Sequence, residues 1–300
     1  MNGVGESHLS VKLSGLAILL KWHGDGNEEV GGPLVDFEMM EIAAAIEAEK
    51  IAGNYSYWDF LKTPGNRRRL FLLFCVAFAM QMSGNGLVSY YLNKVLDSIG
   101  ITSKDEKLVV NGGLMIYNFG VAMIVPVIVP RFKRRTMFLS SFTLMLLTYV
   151  IWTVLSAINQ QRNFEQKSLG QGVLAMIFFY YLAYNLGLNG LPYLYMTEIL
   201  PFTIRAKGVN LNVMIQQIGQ IYNGFVNSIA MDAIQWKYYI VYCCILGVEV
   251  IVCYFSFVET SGLTLEEVAE VFGEKHLTME DLKNEDKKLY LEHSEIASKV

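Results

Sequence analysis

The sequence predicts an all-α integral membrane protein with six transmembrane helices. Three observations carry this. Hydrophobic residues make up 53% of the 300 positions and charged residues only 17%. Mean hydropathy is +0.34 although both ends of the chain are polar. The apolar residues are therefore concentrated in the middle, in runs of about 20 residues, the length of helix that crosses a hydrocarbon core of roughly 30 Å. Period-two alternation is absent, which argues against a transmembrane β-barrel. A net charge of -4 gives no basis for a nucleic-acid partner, and 13% aromatic residues exclude disorder for most of the chain.

From the N-terminus, residues 1–69 read as a soluble segment. Gly24, Gly26, Gly31, Gly32 and Pro33 mark a loop, and Phe37–Ile51 follows as an amphipathic helix with Met39, Ile42, Ala45 and Ile46 at helical spacing. Residues 70–258 form the membrane bundle. Its spans are expected at Leu70–Leu92, Asn111–Val129, Thr136–Ala157, Val173–Tyr195, Val209–Met231 and Tyr238–Val258. Together they contain one ionisable acid or base, Glu249, as an apolar solvent demands. Residues 259–300 form the tail, where Thr264 and Glu267 have the spacing of a capping box that opens a short helix through Val271.

The connections set the orientation. Lys62, Arg67, Arg68 and Arg69 precede the first span, Arg131, Lys133, Arg134 and Arg135 join the second to the third, and Arg205 and Lys207 join the fourth to the fifth. The other three connections hold six basic residues against these ten. The positive-inside rule then places both termini in the cytoplasm. Cys75, Cys243, Cys244 and Cys253 all fall inside apolar spans, without the flanking chemistry of a metal site.

Polar residues inside the spans are the most informative signal. Asn212, Gln216, Gln220, Asn223 and Asn227 are 4, 4, 3 and 4 apart, one amide-lined face of the fifth helix. The first span carries Gln81, Asn85 and Ser89, the second Asn111 and Asn118, and the fourth Asn185, Asn189 and Tyr193. Spans three and six show no comparable stripe. Amides in membrane helices can simply bond helix to helix, at roughly 0.6–2 kcal/mol each. Stripes on four of six helices favour a shared, water-accessible cavity instead, because so many amides in a dry core would be costly. A lining of amides, hydroxyls and aromatic rings without charge suits an uncharged, polyhydroxylated solute.

Two places favour movement. Gly187, Gly190 and Pro192 break the fourth span, and Gly84 and Gly86 play a similar part in the first. Glu249 reads either as a proton carrier or as a structural carboxyl, protonated or locally hydrogen-bonded; the absence of a polar stripe on its helix favours the latter. No span or loop offers a nucleophile motif, a phosphate loop or a His–carboxylate cluster, so neither an enzyme nor a bound cofactor is expected.

Several separated motifs resemble the C-terminal half of a sugar porter of the major facilitator superfamily, closest to fungal hexose and lactose permeases. They are Gln81-Met82-Ser83-Gly84-Asn85 followed by Tyr90-Tyr91; Arg131-Phe132-Lys133-Arg134-Arg135; Pro192-Tyr193 followed by Glu198 and Arg205-Ala206-Lys207-Gly208; and Glu259-Thr260-Ser261-Gly262-Leu263-Thr264-Leu265-Glu266-Glu267. The resemblance covers residues 21–273 and implies that the six spans are the family's seventh to twelfth helices. Its sugar ligands fall on Gln81, Asn118, Tyr193 and Gln216; Asn85, Asn185, Asn189, Gln220 and Asn223 complete the candidate lining. Arg134, Arg135, Glu198, Arg205 and Glu259 occupy the charge network that closes the cytoplasmic gate.

The implied activity is transport of a neutral sugar, a hexose or a disaccharide such as lactose, by alternating access, facilitated or proton-linked, in the plasma membrane. The implied partners are the lipid bilayer, the sugar and a second bundle: an N-terminal half, a full-length permease or another copy. The rival is a non-transporting sugar sensor or permease partner. Departures from the family pattern are Met80 in place of the first of its paired glutamines, Asn85 one place early, Pro130 for the acid opening the basic loop, Val258 for Pro and Ser261 for Lys. Alternating access requires two bundles, and this sequence holds one.

Overall fold

The computed structural model describes residues 18–23, 32–42, 55–97, 101–162 and 166–273. They divide into two compact units, one holding the described residues up to Ser56 together with Phe202–Ile204, the other holding the rest. In the first unit residues 18–22 and 32–42 are helical. Pro33 falls in the first turn of the second helix rather than in a loop, where its missing N–H removes no helical bond. That helix thus begins earlier than Phe37, and the expected portion beyond Ile42 lies outside the described residues, as does the tail beyond Gly273.

The second unit opens with α1 (Asp59–Lys62) and α2 (Pro64–Met82). The Thr63 side chain accepts from the Asn66 N–H at 3.2 Å, and Pro64 occupies the first turn. This start signal sets the helix going ahead of the expected Leu70, so Arg67, Arg68 and Arg69 are helical. The helix breaks at Gly84, which has a φ of 102°, and resumes as α3 (Asn85–Asp97). A Cβ on Gly84 would lie 2.1 Å from Tyr149 Oη, so both conformation and space require glycine. Tyr149 Oη donates to the Gly84 carbonyl at 3.2 Å, which also accepts from the Val88 N–H in the first turn of α3.

The remaining helices are α4 (Lys104–Ile128), α5 (Arg134–Gln161), α6 (Lys167–Tyr184), α7 (Leu191–Ile199), α8 (Phe202–Ile234), α9 (Tyr238–Ser256) and α10 (Leu265–Val271). A π-helical turn, Asn185–Asn189, separates α6 from α7. It lies in the region where Gly187, Gly190 and Pro192 predict a break. Ser141 Oγ donates to the Ala183 carbonyl at 2.7 Å, and a Cβ on Gly187 would lie 2.4 Å from Ser141 Cβ. The third span thus presses against the break and satisfies a carbonyl there.

Five stretches among the described residues are long and apolar enough to cross a membrane, where the sequence predicts six spans: Pro64–Ser89, Lys104–Arg131, Arg134–Gln161, Ser168–Ile199 and Phe202–Ser256. The fifth runs for 55 residues but is not one helix. Gln235, with a φ of 48°, divides it into α8 of 33 residues and α9 of 19. At 1.5 Å per residue these are roughly 50 and 28 Å long.

Helix α5 packs against both α6 and α9. One face, from Met137 through Trp152 to Asn159, is buried, while Leu144, Leu147, Val150, Ile151 and Val154 on the other are exposed. Two aromatic clusters hold it. Tyr149 stacks on Trp152 at 5.0 Å and meets Tyr180 edge-on at 5.2 Å; nearer the other end, Phe138 meets Tyr195 at 5.3 Å and Phe257 at 5.0 Å. The buried face also carries Ser141, Thr148, Thr153, Ser156 and Asn159, a polar stripe the sequence reading does not register in this span. Thr148 and Thr153 donate to the carbonyls of Leu144 and Tyr149 in their own helix.

Candidate functional site

The amides of α8 face α2 and α3. Asn212 Nδ2 donates to the Leu73 carbonyl at 2.9 Å, and Gln216 Nε2 to Asn212 Oδ1 at 2.5 Å. Asn223 Nδ2 donates to the Gln81 carbonyl at 2.7 Å, while its Oδ1 accepts from Asn227 Nδ2 at 3.2 Å. Asn227 Oδ1 in turn accepts from Tyr238 and Tyr242 at 2.7 and 2.6 Å. Asn212, Asn223 and Asn227 are fully buried, Gln216 is 7% exposed, and Gln81 and Gln220 are half-buried. Much of this stripe therefore bonds the fifth span to the first and to α9, the helix-joining role that competes with a wet lining. The sequence reveals the shared face but not which side of each amide meets a neighbour.

A second group forms between α4 and the π-helical turn. Asn185 Nδ2 donates to Asn118 Oδ1 at 2.5 Å, and Asn189 Nδ2 to Asn185 Oδ1 at 2.7 Å. Asn185 and Asn189 border a cavity of about 310 Å³ shared with Val125, Pro126 and Leu194. Farther along, Asn111 Nδ2 donates to Asn93 Oδ1 at 3.0 Å, joining the second span to the first. Ser89 Oγ links the remaining helix, donating to Asn85 Oδ1 at 3.0 Å and lying 3.0 Å from Tyr181 Oη. Tyr193 is 44% exposed. The structure thus joins Asn118 with Asn185 and Asn189, and Asn85 with α6, while Gln81, Tyr193 and Gln216 do not line the 310 Å³ cavity.

The basic loop and the segment after α9 form a charge cluster at one end of the bundle. Arg134 Nε lies 3.2 Å from Glu198 Oε1, and Thr260 Oγ1 donates to Glu198 Oε2 at 2.5 Å. Glu259 accepts from the backbone N–H groups of Arg134 and Arg135 at 2.8 and 3.2 Å. Lys133 supplies no side-chain cap to α5, so this distant carboxylate caps the helix where the macrodipole favours negative charge. The Arg135 guanidinium donates to the Tyr254 carbonyl. Arg205 stands apart: its Nε donates to the Leu200 carbonyl at 3.2 Å, and its buried Nη2 has no hydrogen-bond partner among the described residues.

Two further features at this end escape sequence reasoning. Arg69, read only as an orientation signal, is 1% exposed; its Nε donates to the Ile199 carbonyl at 2.9 Å, and its guanidinium lies 4.6 Å from the Phe272 ring centroid. It closes the C-terminal end of α7 and holds the segment after α10, where the capping box between Thr264 and Glu267 forms as its spacing predicts. Val258, where the family pattern has Pro, donates its N–H to Tyr195 Oη at 3.0 Å, a bond proline could not make.

The family model described as "Sugar (and other) transporter" matches residues 20–272. The chain belongs to this family. Similar relatives are a "Low-affinity glucose transporter" of Kluyveromyces lactis, 25% identical over 82% of this chain and 44% of its own length, and the "MFS-type transporter oryC" of Aspergillus oryzae, 29% identical over 81% and 46%. A "Hexose transporter 2" of Kluyveromyces lactis is 27% identical over 81% of the chain and 44% of its own length. The chain spans about half the length of the curated relatives it matches. The major facilitator superfamily proton:xylose symporter XylE, solved with 6-bromo-6-deoxy-D-glucose, shares the fold with a TM-score of 0.63 at 17% identity, over 86% of this chain and 54% of that one. Among the described residues the family fold is therefore all-helical here, and the family's members are transporters rather than enzymes.

Proposed function

We propose that this chain supplies the C-terminal bundle of a transporter for a neutral sugar, a hexose or a disaccharide, and that it works by alternating access against a second bundle. The carrying observation is that amides gather at two helix breaks: Asn85 follows Gly84, and Asn185 and Asn189 lie in the π-helical turn, bonded to Asn118 of α4. Broken helices at membrane depth expose backbone and side-chain polar groups to a solute, and in secondary transporters such sites lie between repeated bundles. In this reading α8 and α9 each cross the bilayer, making six spans. Residues 1–69 and 259–300 flank the bundle on the cytoplasmic side of the plasma membrane.

Gln81, Asn85, Asn118, Asn185, Asn189, Tyr193 and Gln216 contribute the sugar's hydrogen-bonding surface, with Gln220 and Asn223 beside them. Arg134, Arg135, Glu198 and Glu259 hold the inner gate, and Arg205 joins them in another conformation of the cycle. The second bundle is an N-terminal half, a full-length permease or another copy of the chain.

The test reconstitutes the full chain in vesicles, alone and together with the N-terminal bundle of a hexose transporter, and follows counterflow of radiolabelled glucose, galactose and lactose. Flux of at least one sugar that depends on both bundles is expected. Gln81→Ala and Gln216→Ala should each weaken binding of that sugar about tenfold, or about 1.4 kcal/mol, in titration calorimetry. Unchanged affinity in both variants would reject the assigned surface, and binding without flux in every combination would favour a sensing role.

A further inference from the structure

Glu249 of α9 is 6% exposed, and neither of its carboxyl oxygens has a hydrogen-bond partner among the described residues. Of the two forms of the structural reading, the locally hydrogen-bonded one is therefore not formed among the described residues. The side chain borders a cavity of about 210 Å³ whose walls include the rings of Phe71, Phe74, Phe78, Phe142 and Phe257. Phe71 and Phe74 are half exposed and Val248 is 58% exposed, so the cavity opens on the apolar flank of the bundle.

The chemistry of this cavity is narrow. A sugar would strand its hydroxyls on five rings and a single carboxyl, and an anion would lose its hydration with no cation in the lining to pair with it. A purely apolar molecule would leave the carboxyl without a partner. A compact amine satisfies both halves: its nitrogen pairs with Glu249 while the surrounding phenyl faces attract the resulting cation. The space is sufficient, since an engineered apolar cavity of about 150 Å³ accommodates benzene.

We propose that this cavity binds a small lipophilic amine, one aromatic ring on a short alkyl stem, with Glu249 as its counter-ion. The amine enters through the hydrocarbon as the neutral base. On binding, one O–H bond of the carboxyl breaks and one N–H bond forms, and the ammonium–carboxylate pair carries no net charge. The cavity is distinct from the amide surface assigned to sugar, so the two proposals stand or fall separately.

The probe is radiolabelled phenethylamine, measured by equilibrium binding to the full chain in lipid nanodiscs and corrected with empty nanodiscs. Saturable binding is expected, displaced by unlabelled amine, untouched by glucose, and displaced about tenfold or more weakly by propylbenzene, which has a similar shape and no nitrogen. Glu249→Gln should weaken binding by a similar factor, whereas Cys244→Ser, a substitution on the same helix away from the cavity, should leave it unchanged. No saturable excess over empty nanodiscs, equal displacement by propylbenzene, or full binding by Glu249→Gln would each overturn the proposal. The propylbenzene comparison decides the point on the unaltered protein if the Gln variant does not fold.

Discussion

Gly84→Ala adds one methyl group where the first span breaks beneath the third, and the structure makes it expensive for two independent reasons. The backbone there has a φ of 102°, outside the range an L side chain readily adopts, at roughly 1–2 kcal/mol. The new Cβ would also lie 2.1 Å from Tyr149 Oη, 2.6 Å from its Cζ and 2.8 Å from its Cε2. Tyr149 has nowhere to retreat: it is fully buried, stacked on Trp152 at 5.0 Å, edge-on to Tyr180 at 5.2 Å and 5.6 Å from Tyr242. Overpacking of this kind costs roughly 1–3 kcal/mol, and displacing the phenol from the Gly84 carbonyl forfeits about 1 kcal/mol more. The expected loss is therefore roughly 3–6 kcal/mol. Trp152 lies in contact with the perturbed ring, so denaturation in detergent followed by tryptophan fluorescence reads the change directly. Tyr149→Phe alone should lose about 1 kcal/mol, and combined with Gly84→Ala it should recover part of the loss because the closest atom is gone. A Gly84→Ala variant within about 0.5 kcal/mol of the parent would refute the account of the break.

Other expected outcomes address the two remaining structural devices. Asn223→Ala removes the bond to the Gln81 carbonyl and leaves Asn227 Nδ2 without its acceptor, so stability should fall by roughly 1–3 kcal/mol in the same assay; an unchanged transition would mean that this amide does not bind helix to helix. Glu259→Ala uncovers the N–H groups of Arg134 and Arg135 and should cost roughly 1–2 kcal/mol, with faster hydrogen exchange confined to the first turn of α5. Protection unchanged in that turn would show that the carboxylate does not cap it.

Membrane residence, helical class and the position of the breaks were legible in the chain because each follows from local rules. Long apolar runs need no tertiary knowledge, and Gly187, Gly190 and Pro192 mark weak backbone wherever they sit. The amide stripe of α8 was legible as a face, yet its division between structural bonds and solute contacts was not. Period tells which residues share a side, but the neighbour's carbonyls at Leu73 and Gln81 come into reach only when helices pack. Arg69 shows the same limit: in sequence it is one of three consecutive arginines, and only its burial against the Ile199 carbonyl separates it from the other two.

Sequence alone thus determined that the chain enters a bilayer as helices and which family pattern its motifs follow, because hydrophobic length and turn chemistry act over neighbouring residues. Tertiary structure alone decided that Glu259 caps a helix that begins 125 residues earlier in the chain, that Tyr149 packs over the break at Gly84, and that Glu249 borders an aromatic cavity without a hydrogen-bond partner among the described residues. Hydrogen bonds and steric contacts act over a few ångströms, so which distant residues meet is settled only by how the helices pack.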